Sequence, residues 1–223
     1  MTLASLLKIA PGVTAIVGGG GKTTLMHTLA GELCAYGRVI LTTTTHIFPS
    51  TTYPVLTDPF AEEIQKALSA YSVVCLGTPD ANGKLTAPAL PFSVLSALAD
   101  YVLVEADGSK GLPLKAHAPH EPVIPPEAGQ VILVLGADGF GKPIGDVCHR
   151  SSLYASLAEE REDALVTPAM AAKAIQKEGI GTRLYINKAE TKEQMRDASA
   201  LAQYLSCPVI AGSLHKEEYL CLR

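Results

Sequence analysis

The chain has 223 residues, 48% of them hydrophobic, with 18 lysines and arginines against 22 aspartates and glutamates and a net charge of -4. That content suffices for one sizeable core, so a single nucleotide-binding domain over residues 1–223 is expected, and the acidic balance excludes a broad basic surface and with it a nucleic-acid partner. No apolar run approaches the roughly 20 residues that a membrane-spanning helix needs, and Cys34, Cys75, Cys148, Cys207 and Cys221, an odd number without a CxxC pair, read as reduced thiols of a cytoplasmic protein with no membrane partner.

The opening stretch MTLASLLKIAPGVTAIV is apolar but lacks a cationic start, and reads as a first helix followed by a strand at Val13 to Val17. The strand runs into Gly18, Gly19, Gly20 and Gly21, then Lys22, Thr23 and Thr24. Positions without side chains let backbone N–H groups turn onto an anion, the helix that follows points its positive end at the same spot, Lys22 adds a full charge and the Thr23 hydroxyl suits Mg²⁺. The long pattern GxxxxGK[ST] needs glycine at position 16, where the chain has Ile16, so the motif is the shorter GxxGKT from Gly18 to Thr23. Leu25, Leu29 and Leu33 make one apolar stripe on the next helix, which Gly37 ends.

RVILTTTT, from Arg38, is a continuously apolar strand with a threonine end, and Thr44, Thr45 and His46 fall where open α/β sheets hold ligands. Asp58 and Pro59 are expected to open a helix with Phe60, Ile64, Leu68 and Tyr71 on one face. Strand SVVCLGT follows, then a hairpin or flap turning at Asn82 and Gly83, a short helix from Pro91 to Ala99, and the buried strand DYVLVEADGS. The proline-rich residues 108–128 read as an ordered irregular loop over the site. Val131 to Leu135 returns to the core and breaks into GADGFGKPIG. Thr167 and Pro168 start a helix to Glu178, TRLYIN is the next strand, and Thr191 with Gln194 caps a helix whose stripe is Met195, Ala198, Leu201, Ala202 and Leu205. PVIAGS is expected to end the sheet. Strands alternating with helices predict a three-layer αβα fold with a mainly parallel sheet, of the phosphate-loop NTPase type.

Two further motifs carry chemistry. Glu105 and Asp107 end an apolar strand, and with Thr23 they are expected to hold Mg²⁺. Asn187, Lys188 and Glu190 follow another strand and resemble the NKxD motif of GTPases, in which the amide and the lysine stem hold the purine ring and the acid accepts from guanine N1–H and N2–H₂. Glu190 stands where that motif has aspartate; its extra methylene keeps the charge but weakens the geometric match, so GTP is only slightly favoured over ATP. Val17 occupies the position of the additional lysine of dimeric ATPases with a GKGGxGKT loop, whereas the short GxxGKT loop and a glutamate-ended strand resemble Mur-type ligases and keep ATP open.

Taken in order, GGGGKTTL, LTTTTHIFP, VEADGSKGLPLKAHAPHEPVIP, LGADGFGKPI, the pair His149 and Arg150, and INKAE resemble the selenium-dependent molybdenum hydroxylase accessory family, the YqeC-like proteins, over nearly the whole chain. The resemblance implies a cytosolic accessory factor that helps mature the molybdenum-pterin site, or its labile selenium, in a molybdenum hydroxylase. It also places weight on Gly18, Gly20, Gly21, Lys22 and Thr23, on Thr44, Thr45 and His46, on Glu105, Asp107, Gly108, Ser109 and Lys115, and on His120, Glu121 and Pro122. Lys110 and Lys115 suit an anionic second ligand, and His117 or His120 a proton shuttle. Cys148 beside His149 invites a metal or selenium role, but no second spaced pair completes such a site.

Two functions follow as expectations. In the first, an Mg²⁺-dependent NTP hydrolase uses Lys22, Glu105, Asp107 and His120 in catalysis, residues 18–24 with Asn187, Lys188 and Glu190 for the nucleotide, and Thr45, His46, Lys115 and Arg150 for a second ligand. In the second, an ATP-dependent ligase or transferase acts on a pterin-like anion held by Lys115, His120 and Arg150. A non-catalytic carrier whose nucleotide orders the loop is the remaining alternative.

Overall fold

A computed structural model describes residues 1–223. The chain is α/β, with a mainly parallel sheet flanked by helices in an αβα arrangement. Its contacts divide it into two compact units that are discontinuous in sequence: residues 1–16, 23–107 and 123–130 form the first, and residues 17–22, 108–122 and 131–223 the second.

The first unit holds α1 (Leu3–Leu6), most of β1 (Gly12–Gly18) and of α2 (Lys22–Leu33), then β2 (Val39–Thr43), β3 (Val55–Thr57), α3 (Ala61–Ala70), β4 (Val73–Pro79), β5 (Leu85–Thr86), α4 (Phe92–Leu98) and β6 (Tyr101–Glu105). The strand order is β1-β6-β2-β4-β3, all parallel. Every residue of β2 and β6 is buried, as their continuous apolar runs require of strands covered on both faces. Ile40, Val74, Leu76, Val102 and Val104 pack there with Ile64 and Leu68 of α3 and Leu95 of α4, each contributing about 1.5–3 kcal/mol relative to an exposed side chain. The carboxylate of Glu32 on α2 accepts the N–H groups of Leu3 and Ala4 at 3.0 and 2.6 Å, which satisfies donors that open α1.

The β4–β5 hairpin forms as expected, with the Asp80 side chain accepting from the N–H groups of Asn82 and Lys84, each at 2.8 Å. The third helix differs from expectation. It opens at Ala61 rather than at Asp58 and Pro59, because Phe60 is extended and its N–H is taken by the Glu63 carboxylate at 2.8 Å. Phe60 and Tyr71 therefore flank the helix and are exposed, leaving Ile64 and Leu68 as its buried stripe. Edge strand β3 has only three residues, too few for a visible alternation.

In the second unit β7 (Leu114–Lys115) is the one strand within the proline-rich loop, and β8 (Ala128–Gly136) enters the unit at Val131. A single 3₁₀ turn at Ala137–Gly139 leads to α5 (Ile144–Val147), β9 (Cys148–His149), α6 (Ser151–Ala158), α7 (Pro168–Glu178), β10 (Arg183–Asn187), α8 (Lys192–Tyr204), β11 (Val209–Ser213) and β12 (Glu218–Cys221). Strands β8, β10 and β11 are parallel neighbours, and β7 pairs with β9. The Thr167 cap with Pro168 and the Thr191/Gln194 capping box are both present. The sheet does not end at β11: β12 adds an antiparallel edge. Helices α5 and α6 were not signalled, since the residues bounding α6, Arg150 and Glu159, take left-handed conformations that elsewhere mark glycine.

Candidate functional site

The glycine loop belongs to the second unit. Gly18, Gly20 and Gly21 have φ of +97°, +73° and +119°, so the turn itself demands glycine. Space demands it as well. A Cβ on Gly18 or Gly20 would run into the backbone of Val134 or Gly136, one on Gly19 would lie 2.6 Å from the Leu112 carbonyl, and one on Gly21 2.6 Å from the Asn187 amide. Two amides of the loop face the protein rather than an anion: Gly19 N–H donates to Val134 O at 2.9 Å and Gly20 N–H to Leu112 O at 3.1 Å. These two amides are thus committed within the second unit. Lys22 is buried, and its Nζ donates to Gly18 O at 2.7 Å and to Ser109 Oγ at 3.3 Å.

The NKAE segment packs directly on this loop. Asn187 Nδ2 donates to Gly20 O at 2.7 Å, while its Oδ1 accepts the Leu214 N–H at 3.2 Å. Ser213 Oγ donates to Glu190 Oε1 at 2.7 Å and itself accepts the Lys216 N–H at 3.1 Å, which fixes the direction of the exposed carboxylate. Lys188 is left-handed at φ 59° and its Nζ pairs with Asp138 at 2.8 Å. Gln194 ties the segment to α8 by accepting the N–H groups of Glu190 and Thr191.

In the first unit, Thr23 Oγ1 donates to Glu105 Oε2 at 2.7 Å; Glu105 and Asp107 are buried at the end of β6, and Thr23 and Thr24 are exposed. The threonine run braces that strand end. Thr43 Oγ1 donates to Glu105 O at 2.7 Å, Thr44 N–H to the same carbonyl at 3.1 Å, and Thr44 Oγ1 to Val123 O at 2.7 Å. Thr45 N–H caps back onto Thr43 Oγ1 at 2.9 Å, and exposed His46 lies 3.8 Å from the Asp80 carboxylate. Thr45 and His46 thus sit in the first unit, and Lys115 and Arg150 in the second.

A compact charged group lies on β7, β9 and the loop between Gly108 and Pro122. Lys115, buried at the side chain, donates to Gly108 O at 2.5 Å and to Glu121 Oε2 at 2.6 Å. Arg150 Nε donates to Glu121 Oε1, and Arg150 Nη2 stands 3.4 Å from exposed His120 Nε2. Burial alone would push the Glu121 carboxyl up, but hydrogen bonds from Lys115 and Arg150 together hold it below its ordinary value. His149 is pushed down by burial and then by Lys115 and Arg150. His117 is an anchor rather than an open shuttle: its N–H and Nδ1 engage Glu178 of α7 at 2.6 and 3.0 Å, both side chains being buried.

Cys148 is buried, and burial pushes its thiol up to about 12. The counter-ions Glu121 and Asp138 and the hydroxyls of Ser109 and Ser213 are the partners that spacing did not pair with Lys115, Lys188, Lys22 and Glu190.

No helix is long and apolar enough to cross a membrane. The family model described as YqeC protein matches residues 14–152, which include the glycine loop, Glu105, Asp107, Lys115, Glu121 and Arg150 and stop short of Asn187 and Glu190. The chain is 40% identical over 163 residues to a protein of Escherichia coli strain K12 described as uncharacterized protein YqeC; the match covers 69% of this chain and 63% of that protein's length. No solved structure matches. With the family's pattern running through the loop, the acidic strand end and the charged group around Glu121, the chain belongs to the YqeC protein family.

Proposed function

We propose that this protein binds guanine nucleotide with Mg²⁺ and hydrolyses it, acting in the cytoplasm as an accessory factor in the maturation of the molybdenum-pterin site of molybdenum hydroxylases. The observation that carries the nucleotide reading is the bond from Asn187 Nδ2 to Gly20 O, which fastens a purine-reading segment to a loop that ends in Lys22. In this reading Lys22 and the N–H groups opening α2 neutralise the β and γ phosphates. Asn187 and the Lys188 stem bound the base, and Glu190, aimed by Ser213, accepts from guanine N1–H and N2–H₂.

Within the first unit, the residues at the end of β6 and the start of α2 fit Mg²⁺. Thr23, Glu105 and Asp107 are hard oxygen donors, and the Thr23 and Glu105 oxygens are 2.7 Å apart, close to the spacing of about 2.9 Å between adjacent ligands around an ion with bonds of 2.0–2.1 Å. The ion would supply charge neutralisation at the phosphate oxygens. The family resemblance supports the biological setting, and His120 at the rim of the Glu121 group supports a role in moving a proton.

Titration of GTP, GDP and ATP in Mg²⁺ tests this function. GTP is expected to bind at least about tenfold more tightly than ATP, one good set of base contacts, and Lys22→Ala to lose about 100-fold for all three. Equal or reversed GTP and ATP affinities remove the guanine assignment, and an unchanged affinity in Lys22→Ala removes nucleotide binding at this loop.

A further inference from the structure

We infer that Lys110, His120, His149 and Arg150, built on Lys115 and Glu121, bind the phosphate-class oxyanion of a second small ligand, separate from the nucleotide. This deepens the proposed function, on which it rests for the ligand's role but not for its binding.

The cluster is predominantly cationic. Lys110, Lys115 and Arg150 all act on His149, and Glu121 is shared between Lys115 and Arg150, in a chain whose net charge is -4. A tetrahedral oxyanion suits such a group, because its several oxygens accept from donors on more than one side. Glu121 takes Lys115 Nζ and Arg150 Nε, which turns the Nη2 edge of the guanidinium toward His120 and leaves the fork's remaining N–H groups to a ligand.

His149 supplies a second, independent observation. Its Nδ1 is buried and has no hydrogen-bond partner, an expensive state for a ring nitrogen. The charged groups that act on the ring are Lys115, Arg150, Glu121 and Lys110, and Cys148 and Tyr154 nearby are kept neutral by burial. An anion entering among those cations would reverse their effect and favour protonated His149. Lys110 and Arg150 hold φ of 52° and 62°, conformations that side-chain-bearing residues rarely keep unless the surroundings impose them.

The frame is cross-linked and adjoins the glycine loop. Lys115 holds the Gly108 carbonyl while Lys22 holds the Ser109 hydroxyl, so consecutive residues link the two cationic groups. The His117–Glu178 pair fixes the residues after β7 to α7.

The test follows the ring resonances of the six histidines in the full chain by NMR while inorganic phosphate is added, with His149→Gln assigning the signal. Saturable upward movement of the His149 protonation midpoint is expected. It should persist in Lys22→Ala and weaken at least about tenfold in Arg150→Ala, with exposed Lys110→Ala as a second variant should Arg150→Ala fail to fold. Glycerol 3-phosphate in place of phosphate separates a monoester ligand from free phosphate, and movement with either supports the site. No saturable movement overturns the inference. So does movement lost in Lys22→Ala but kept in Lys110→Ala, or movement produced by GTP alone, which would assign the cluster to the nucleotide. Because phosphate is read at His149 and nucleotide binding by titration, failure of either reading leaves the other standing.

Discussion

Asn187 and Gly20 are 167 positions apart in sequence, yet the Asn187 amide donates to the Gly20 carbonyl at 2.7 Å and stands 2.6 Å from where a Cβ on Gly21 would lie. One side chain thus braces the loop and limits what the loop can contain. Replacing Asn187 by Ala strands the Gly20 carbonyl and the Leu214 N–H, with an expected cost of about 1–3 kcal/mol. Thermal unfolding without nucleotide should register it as a drop of several degrees, and GTP affinity should fall as well. A variant that melts like wild type would mean that the amide does not brace the loop.

Gly20 and Gly83 make a matched pair, both at φ +73°. A Cβ on Gly83 meets nothing, whereas one on Gly20 meets the Gly136 backbone. Gly83→Ala should cost about 1 kcal/mol, the conformational term alone. Gly20→Ala should cost well over about 2 kcal/mol, because the backbone behind it has nowhere to retreat. Denaturant midpoints of the two variants without ligand decide the matter, and equal midpoints would remove the packing argument.

Glu121 makes stability pH-dependent in a known direction. Its folded pKa lies below its ordinary 4.5, so the contribution is fully present above about pH 4.5 and is lost as pH falls through the folded value. Wild type should therefore lead Glu121→Gln in stability at neutral pH, with the lead shrinking in the acid range below 4.5. A lead that stays constant from neutral pH into acid would show that Lys115 and Arg150 do not hold the carboxylate.

The five cysteines should sort by access and acidity. Burial raises Cys75 and Cys148, the latter to about 12, while Cys221 is exposed and Cys34 half-buried. In the native protein at mildly alkaline pH a thiol reagent is expected to modify Cys221 and Cys34 first, with Cys75 and Cys148 reacting only on unfolding. Peptide mapping of the modified sites checks this. Native modification of Cys148 at the rate of Cys221 would restore a thiolate role for the Cys148–His149 step.

The parts of the fold visible in the sequence were those with long regular signals. Apolar runs marked β1, β2, β4, β6, β8, β10 and β11, and true caps marked α7 and α8. Elements of two to four residues, β3, β7, β9 and α5, are too short to repeat a period. Strand β12 was hidden because its residues are mostly exposed and it lies at an edge. For the candidate site, the chain neighbours of Lys22, Thr23, Glu105 and Asn187 made their places at strand and helix ends legible. The pairings were not visible, since Ser109 reaches Lys22, Glu121 reaches Lys115 and Arg150, Asp138 reaches Lys188 and Ser213 reaches Glu190 only through tertiary folding.

The two bonds that occupy the Gly19 and Gly20 amides bear on the entropy of recognition. A glycine-rich turn is ordinarily a floppy segment whose ordering is charged against ligand affinity. Here Val134 and Leu112 hold the backbone before any ligand arrives, so most of that ordering is already complete when the chain folds. An anion bound by the turn would meet a finished mould, and its association would involve little more than the exchange of water for anion oxygen.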